Sequence, residues 1–394
     1  MVIISKSMKL IKCNSLFDGT EEKRDCYIGF EGDEIKYVGG KNGRPEKEGG
    51  RDIDEMIEGK NYVVTPAFID SHSHIGMVRS GEPSKEEEAN EQMSSVYPLV
   101  NALHSIYMDD SSFIESTESG VLYSTVLPGS GNIIGGKAVL IRNFAKDIGH
   151  AHVMDVGIKA ALGYNPRSTT EWKGDRPSTR MGAVAMLRDN FIKARKTQRL
   201  LQIGKKTTDE IEPLTEIFMD ILSNKYKMMV HLHKEDDVMI LIQLVNEFGI
   251  KAVANHCVDV QREEVFEALR NAGIPIVYGP MDSFPYKVEL KHESWKNVEK
   301  LLDSRAKFSI MSDHPVILQR NMFYTLRHLL RFGLSKADAI SKITREAAEI
   351  IGIQNIGQIK PGFKASLVVW NGDPFLLSSY PTLVIAEGKT VYQE

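Results

Sequence analysis

Cysteine is scarce in this chain: three residues among 394, Cys13, Cys26 and Cys257. Their number is odd and they lie far apart in the sequence, which offers neither a disulfide framework nor a zinc-finger spacing. That usage suits a reducing, cytoplasmic setting. No apolar run approaches the roughly 18 residues that a membrane span needs. Met1-Val2-Ile3-Ile4 is too short for a signal-peptide core. Charge of one sign is not in excess either. A net charge of −4 argues against nucleic acid or an acidic membrane as partner, and the basic cluster at Arg195–Arg199 reads as a solvated helix face. No low-complexity segment is visible. What remains is a composition ordinary for a soluble globular protein, 42% hydrophobic and 26% charged. The length allows one large domain and a small one.

Both ends of the chain read as short strands with turns. Near the start these are Ser7–Cys13, Asp25–Phe30 and Glu34–Val38, broken by Gly39-Gly40-Lys41-Asn42-Gly43. Near the end they are Ala365–Trp370, Thr382–Ala386 and Thr390–Tyr392, with a Glu387-Gly388 turn. The two flanks, 1–62 and 355–394, suggest one β-sandwich domain built from both termini.

The middle, 63–354, alternates strands with helices. Eight strands are expected: Val63–Ser71, Gly120–Leu127, Ala138–Asn143, Asp155–Leu162, Lys227–His233, Lys251–His256, Ile274–Tyr278 and Lys307–Ser312. Amphipathic runs lie between the later ones, at Met181–Leu201, Glu210–Asn224, Asp236–Phe248, Arg262–Ala272 and His292–Asp303. Two further helices are expected at Asn321–Phe332 and Ser335–Ile351, the second with Ser335 as N-cap and Gly352 as its stop. Continuous apolar strands separated by helices indicate a parallel sheet covered on its outer face. Eight of them indicate an α/β fold, a (β/α)8 TIM-like barrel.

Functional residues of such barrels sit at the C-terminal ends of the strands. Reading only those ends gives His72 and His74 on strand 1, Lys159 on strand 4, and His231 and His233 on strand 5. His256 on strand 6 and Asp313 on strand 8 follow. Five of the chain's 11 histidines thus meet a carboxylate at one expected rim. Two imidazoles spaced His-x-His share a face of a strand and can grip one metal ion.

These residues resemble the amidohydrolase superfamily of metal-dependent hydrolases. The opening Thr65-Pro66-Ala67-Phe68-Ile69-Asp70-Ser71-His72-Ser73-His74 is similar to its TPG-(Phe/Leu)-Ile-Asp-x-His-x-His signature, with Ala67 in place of the usual Gly. The tail Gly357-Gln358-Ile359-Lys360-Pro361-Gly362-Phe363-Lys364-Ala365-Ser366-Leu367-Val368-Val369-Trp370 is similar to its G-x-I-x-x-G-x-x-A-D-L-V-V strand, with Ser366 where Asp is common. Within the superfamily the chain looks closest to the imidazolonepropionase-related group. The resemblance spans nearly the whole sequence.

It implies a hydrolase that uses metal-activated water to cleave a C–N bond of a small molecule, an amide or cyclic amide. The implied ligands are His72, His74, His231, His256 and Asp313, with a divalent metal, Zn foremost, as one or two ions. Many relatives carry a carboxylated lysine on strand 4 that bridges two metals, and Lys159 occupies that place. A salt-bridged or carboxylate-binding lysine is the other reading. Asp313 is expected to take the proton of the attacking water and pass it to the leaving amine, with a pKa above that of a free Asp. His233 is an extra ligand, a substrate contact or a hydrogen-bonding neighbour. His314 should point away. Arg167, Arg176 and Arg180, in the polar segment Tyr164–Arg180, are candidates for holding an acidic substrate group. Deamination of a heterocycle is the alternative, weakened because Glu235 stands at the wrong offset from His231. Dipeptidase or prolidase-like activity and a non-catalytic scaffold are further alternatives. The stretch Gly131–Ala138 nearly matches a phosphate-binding loop, but Ala138 lacks the hydroxyl for Mg²⁺ and a strand follows instead of a helix. Assembly into a homo-oligomer is compatible with all of this.

Overall fold

The structure is a computed structural model that describes residues 8–42, 53–168 and 175–394. The N-terminal Met1–Ile4, Gly43 of the glycine-rich break and the middle of the Tyr164–Arg180 segment lie outside the described residues. Among the described residues, no helix is long and apolar enough to cross a membrane.

Two eight-stranded sheets organise the chain. The barrel strands, in chain order, are β1 (Phe68–Ser73), β2 (Val121–Val126), β3 (Ile134–Arg142), β4 (His152–Ala161), β5 (Met228–Leu232), β6 (Ala252–His256), β7 (Ile276–Tyr278) and β8 (Phe308–Ile310). Each hydrogen-bonds its sequence neighbour, so spatial order equals chain order. Most positions are fully buried, as expected of strands enclosed on both faces.

One strand departs from the expected parallel arrangement. β3 runs antiparallel to both β2 and β4. The reason is the connection: Leu127–Ile133 is too short for the dozen or more residues of a parallel crossover, so the chain turns back as a hairpin. The same geometry removes the phosphate-loop reading, since Ile134 already begins a strand.

The seam between β8 and β1 is closed by a helix break. The helix expected over Ser335–Ile351 divides into Lys336–Ser341 and Arg345–Ile351. In the gap, the Lys342 carbonyl accepts from Ile310 N–H at 3.1 Å and the Ile343 carbonyl from Ile69 N–H at 2.8 Å. Buried strand-edge donors must be satisfied, and the interruption supplies their acceptors. The Asn321–Phe332 helix likewise divides, into Met322–Thr325 and Arg327–Arg331.

The outer helices pack by helical periodicity. In Arg180–Gln202, Thr179 caps the N-terminus by accepting from Gly182 N–H at 3.1 Å. Ala183, Leu187, Phe191 and Ala194 form its buried stripe. Phe191 stacks on Phe248 and meets Phe218 edge-on. Truncating such a buried ring to Ala costs about 3–5 kcal/mol.

The second sheet joins strands from both ends: Met8–Phe17, Glu22–Glu31, Glu34–Gly39, Ile53–Glu58, Leu367–Trp370, Pro381–Ala386 and Lys389–Gln393, with Val63–Pro66 between them. The first expected barrel strand therefore divides at Ala67. Val63–Pro66 pairs antiparallel with Leu367–Trp370, and only Phe68 onward enters the barrel. Residues from both ends of the strand order, Ile35 and Ile385, share one apolar cluster. Cys13 and Cys26, distant in sequence, face each other across Met8–Phe17 and Glu22–Glu31. Burial pushes the Cys13 thiol up to about 12 and raises Cys26 as well, which makes both unreactive.

Candidate metal centre

The C-terminal ends of β1, β5, β6 and β8 bring the expected histidines and Asp313 together. Asp313 Oδ1 lies 3.4 Å from His72 Nε2 and 3.4 Å from His74 Nε2, and Oδ2 lies 3.9 Å from His256 Nδ1. The rings of His231, His233 and His256 pack with centroids 4.3–4.8 Å apart. Two donor groups result, His72–His256–Asp313 and His231–His233–His256, each with ligand atoms within 4.8 Å of one another. They share His256.

Backbone strain turns some of these donors inward. His256, Cys257 and Asp313 adopt φ of 78°, 59° and 52°, conformations that non-glycine residues seldom take and that cluster at functional sites. Hydrogen bonds orient the rings. His74 Nδ1 sits 2.8 Å from the Leu127 carbonyl, and His256 Nδ1 3.0 Å from that of Gly279. Each leaves Nε2 for a ligand.

Burial favours the neutral form of the His72, His231, His233 and His256 imidazoles. It is the largest cause holding His72, His231 and His256 far below the usual histidine range, with neighbouring positive groups adding to it. His233 is lowered to about 3, again chiefly by burial. A neutral imidazole keeps the lone pair that a metal needs. Several of these atoms have no hydrogen-bond partner among the described residues: His72 Nδ1, His256 Nε2 and both nitrogens of His233. Buried polar atoms are rarely left so. A cation accepting their lone pairs fits both the donor chemistry and the unpaired atoms.

Lys159 is fully buried in β4, its Nζ 3.3 Å from His72 Nε2. Burial lowers it to about 7, against the opposing pull of Asp313. Asp313 departs from expectation. Burial would raise its pKa, but His256, His74 and Lys159 outweigh it and hold the carboxyl below the usual range.

Asp70 is a brace that the sequence reading treated only as part of the opening motif. Its carboxylate accepts from Ser312 N–H at 3.1 Å, His72 N–H at 3.3 Å, Gln319 Nε2 at 2.7 Å and the Ser312 hydroxyl. It thereby ties β1 to the turn that carries Asp313. Burial raises it to about 6, the hydrogen bonds opposing. His314 points away as expected, its ring accepting from Gln319 N–H at 3.2 Å.

The arginines lie to one side. Arg167 Nε donates to the Gly163 carbonyl at 2.8 Å. Arg180 pairs with Asp237 at 3.2 Å and Asp236 at 3.6 Å, so its charge is already met. Arg176 is exposed. Arg167 and Arg180 line a cavity of about 140 Å³ with Asp237 and Glu289. Glu235 stands outside the centre, bound to Arg262.

Strand 7 was expected without a site residue, yet the segment that follows β7 supplies two groups. Glu289, 1% exposed, places Oε1 3.2 Å from His231 Nε2, and Lys287 Nζ lies 2.8 Å from the same oxygen. Tyr164 N–H donates to its Oε2 at 3.0 Å. The available signal was positional: this segment follows β7 at the functional rim, and Lys287 and Glu289 alternate with the exposed Phe284, Tyr286 and Val288.

The barrel and its rim of buried imidazoles and carboxylate define a class: β/α barrels with metal-ligating side chain types gathered at the strand ends. Residues 207–391 match the Amidohydrolase family. A solved amidohydrolase from Thermotoga maritima MSB8 superposes with a TM-score of 0.87 at 28% identity, covering 98% of this chain and 100% of that one. The amidohydrolase tasK of Hapsidospora irregularis is 24% identical over 86% of this chain, which spans 37% of that protein's length. A 5-methylthioadenosine/S-adenosylhomocysteine deaminase from Dictyoglomus turgidum is 21% identical over 92% of this chain and 84% of its own. The family match, the relatives and the solved structure all support the resemblance to the amidohydrolase superfamily.

Proposed function

We propose that this protein is a metal-dependent hydrolase that cleaves the C–N bond of a linear or cyclic amide in a small molecule. The observation that carries the reading is the pair of histidine-rich donor groups at the strand ends, one of them with Asp313, which share His256. His72, His74, His231, His256 and Asp313 are the residues that would hold the ion, and their nitrogen and oxygen donors suit Zn²⁺. A bound divalent cation supplies an acidified water and a polarised carbonyl.

The protein's own groups do the rest. Asp313, ionised at neutral pH, accepts the proton of the attacking water and returns it to the departing nitrogen. Asp70 fixes the turn on which Asp313 acts. Lys159, with its amine near neutrality, is available for N-carboxylation, which would create a bridge between two ions. Arg167 contacts substrate from the side of β4, a smaller role than a free guanidinium would have. Residues 63–354 are the catalytic domain, and 1–62 with 355–394 the domain that buttresses it. Three free, buried cysteines fit a cytoplasmic setting.

Deamination remains the competing reaction, supported by the Dictyoglomus relative and by a carboxylate, Glu289, beside the strand 5 histidine. A screen of cyclic amides, acyl amino acids, dipeptides and aminated heterocycles with the metal-loaded protein separates them. Amide cleavage lost on chelation is expected. Ammonia from a heterocycle with no amide cleaved would overturn the amide reading in favour of deamination.

A further inference from the structure

Three rings surround Asp313, and two of them are anchored from behind. His74 Nδ1 meets the Leu127 carbonyl at 2.8 Å and His256 Nδ1 the Gly279 carbonyl at 3.0 Å. His72 has no such anchor. Its Nε2 faces Asp313 Oδ1 at 3.4 Å. An ion taken there leaves the ring proton on Nδ1, and that buried nitrogen has no hydrogen-bond partner among the described residues. A second orphan lies deeper in the barrel. Asn255, in β6, is 0% exposed, and neither its Oδ1 nor its Nδ2 has a partner among the described residues. Burying an amide with both atoms unpaired is costly. The register gives its direction, because partners in a parallel ladder share a face of the sheet. Asn255 pairs with His231 of β5 and Val277 of β7, and Val277 with Ser309 of β8. His231 turns into the barrel, so Asn255, Val277 and Ser309 do too. Ser309 Oγ donates to Ser71 Oγ at 3.0 Å across the β8–β1 seam. One interior layer thus runs from Asn255 to the residue before His72.

We propose that Asn255 is a positioning residue for His72, the two sharing one buried water inside the barrel, beneath the strand-end rim. The water accepts from His72 Nδ1–H and donates to Asn255 Oδ1. The Ser71 hydroxyl, which accepts from Ser309, has its own proton to donate to the same water. Three polar contacts are what a buried water commonly makes. The proposal rests on the metal-hydrolase reading, since the ring that Asn255 fixes is one of the ion's ligands there. Asn255 does for His72 through water what the Leu127 and Gly279 carbonyls do directly for His74 and His256: it sets the tautomer and the orientation of the ring.

The test uses the full chain. A high-resolution crystal structure is expected to show water density within hydrogen-bond distance of both Asn255 Oδ1 and His72 Nδ1. In solution, chelator-stripped protein is titrated with Co²⁺, whose absorption bands report the ligand field. Asn255→Leu keeps the branching of the side chain and removes both polar atoms. It should bind Co²⁺ about 10–100-fold more weakly and with shifted bands, while circular dichroism stays unchanged. Asn255→Ser, which keeps a hydroxyl for the water, should recover most of the loss. An amide that only fills space predicts native affinity and native bands in Asn255→Leu. That result, or density with no water joining the two groups, overturns the proposal and leaves the hydrolase reading intact. A native protein that takes up no Co²⁺ overturns the reading of the centre and the proposal with it.

Discussion

Lys159 Nζ and His72 Nε2 meet at 3.3 Å beneath the strand-end rim of the barrel, both side chains wholly buried. Two cationic groups could not share that space. The histidine is held neutral, and the lysine is lowered to about 7, principally by burial in each case. A buried lysine needs a reason, and the lowered amine is compatible with the N-carboxylation proposed above.

Carboxylation of that amine is testable. Metal-loaded protein exposed to isotopically labelled bicarbonate should show a carbamate resonance that Lys159→Met lacks. Lys159→Met should also lower kcat by about ten-fold or more, as expected for a group that tunes a metal centre. A carbamate-free spectrum from a fully active protein would refute the bridging role.

His72→Ala combined with His74→Ala should abolish binding at the β1–β8 centre while leaving the fold in place, since both rings lie at the barrel mouth. Elemental analysis and circular dichroism check this together. Stoichiometric metal in that variant would sink the assignment.

Asp70→Ala leaves the Ser312 amide and hydroxyl, the His72 amide and the Gln319 side chain without their shared acceptor. A loss of about 2–3 kcal/mol is expected for the unpaired buried donors, read from urea unfolding. Metal affinity should fall about 10–100-fold because the turn carrying Asp313 loosens. Unchanged affinity in a destabilised variant would confine Asp70 to stability.

Asp18 predicts an acid-sensitive increment of stability in the terminal sheet. Burial opposes its ionisation, but Lys23 at 2.6 Å, Thr20 Oγ1 at 2.6 Å and the backbone N–H groups of Thr20 and Glu21 prevail and lower its pKa. The folded value lies below the unfolded one, so the increment is full above about pH 4 and lost as pH falls through the folded value. Urea midpoints of the native protein and Asp18→Asn should differ at neutral pH and converge in acid. A constant gap would rule out the linkage.

Much of this was legible in the chain because period and spacing are local properties. The apolar strands announced the barrel, and His72-Ser73-His74, His231, His256 and Asp313 stood at the strand ends where a functional rim lies. The direction of β3 was not legible from its residues, since an apolar strand looks alike in either direction. It followed from a short connection and the pairing it forced. The division of Val63–Ser71 at Ala67, and the break between Lys336–Ser341 and Arg345–Ile351, were likewise decided by partners far away: Leu367–Trp370 in one case, the unpaired amides of Ile69 and Ile310 in the other.

By itself the sequence determined the alternation of elements and the identity of the superfamily's opening motif, both properties of neighbouring residues. Tertiary structure alone decided that Glu289 and Lys287 stand over His231, that Asp70 ties β1 to the Asp313 turn, and that Asp313 sits below rather than above the ordinary carboxylate range. Each depends on distances between residues remote in the chain and on burial that removes water from between them, and Coulomb and desolvation effects follow those distances and that burial, not the order of the residues.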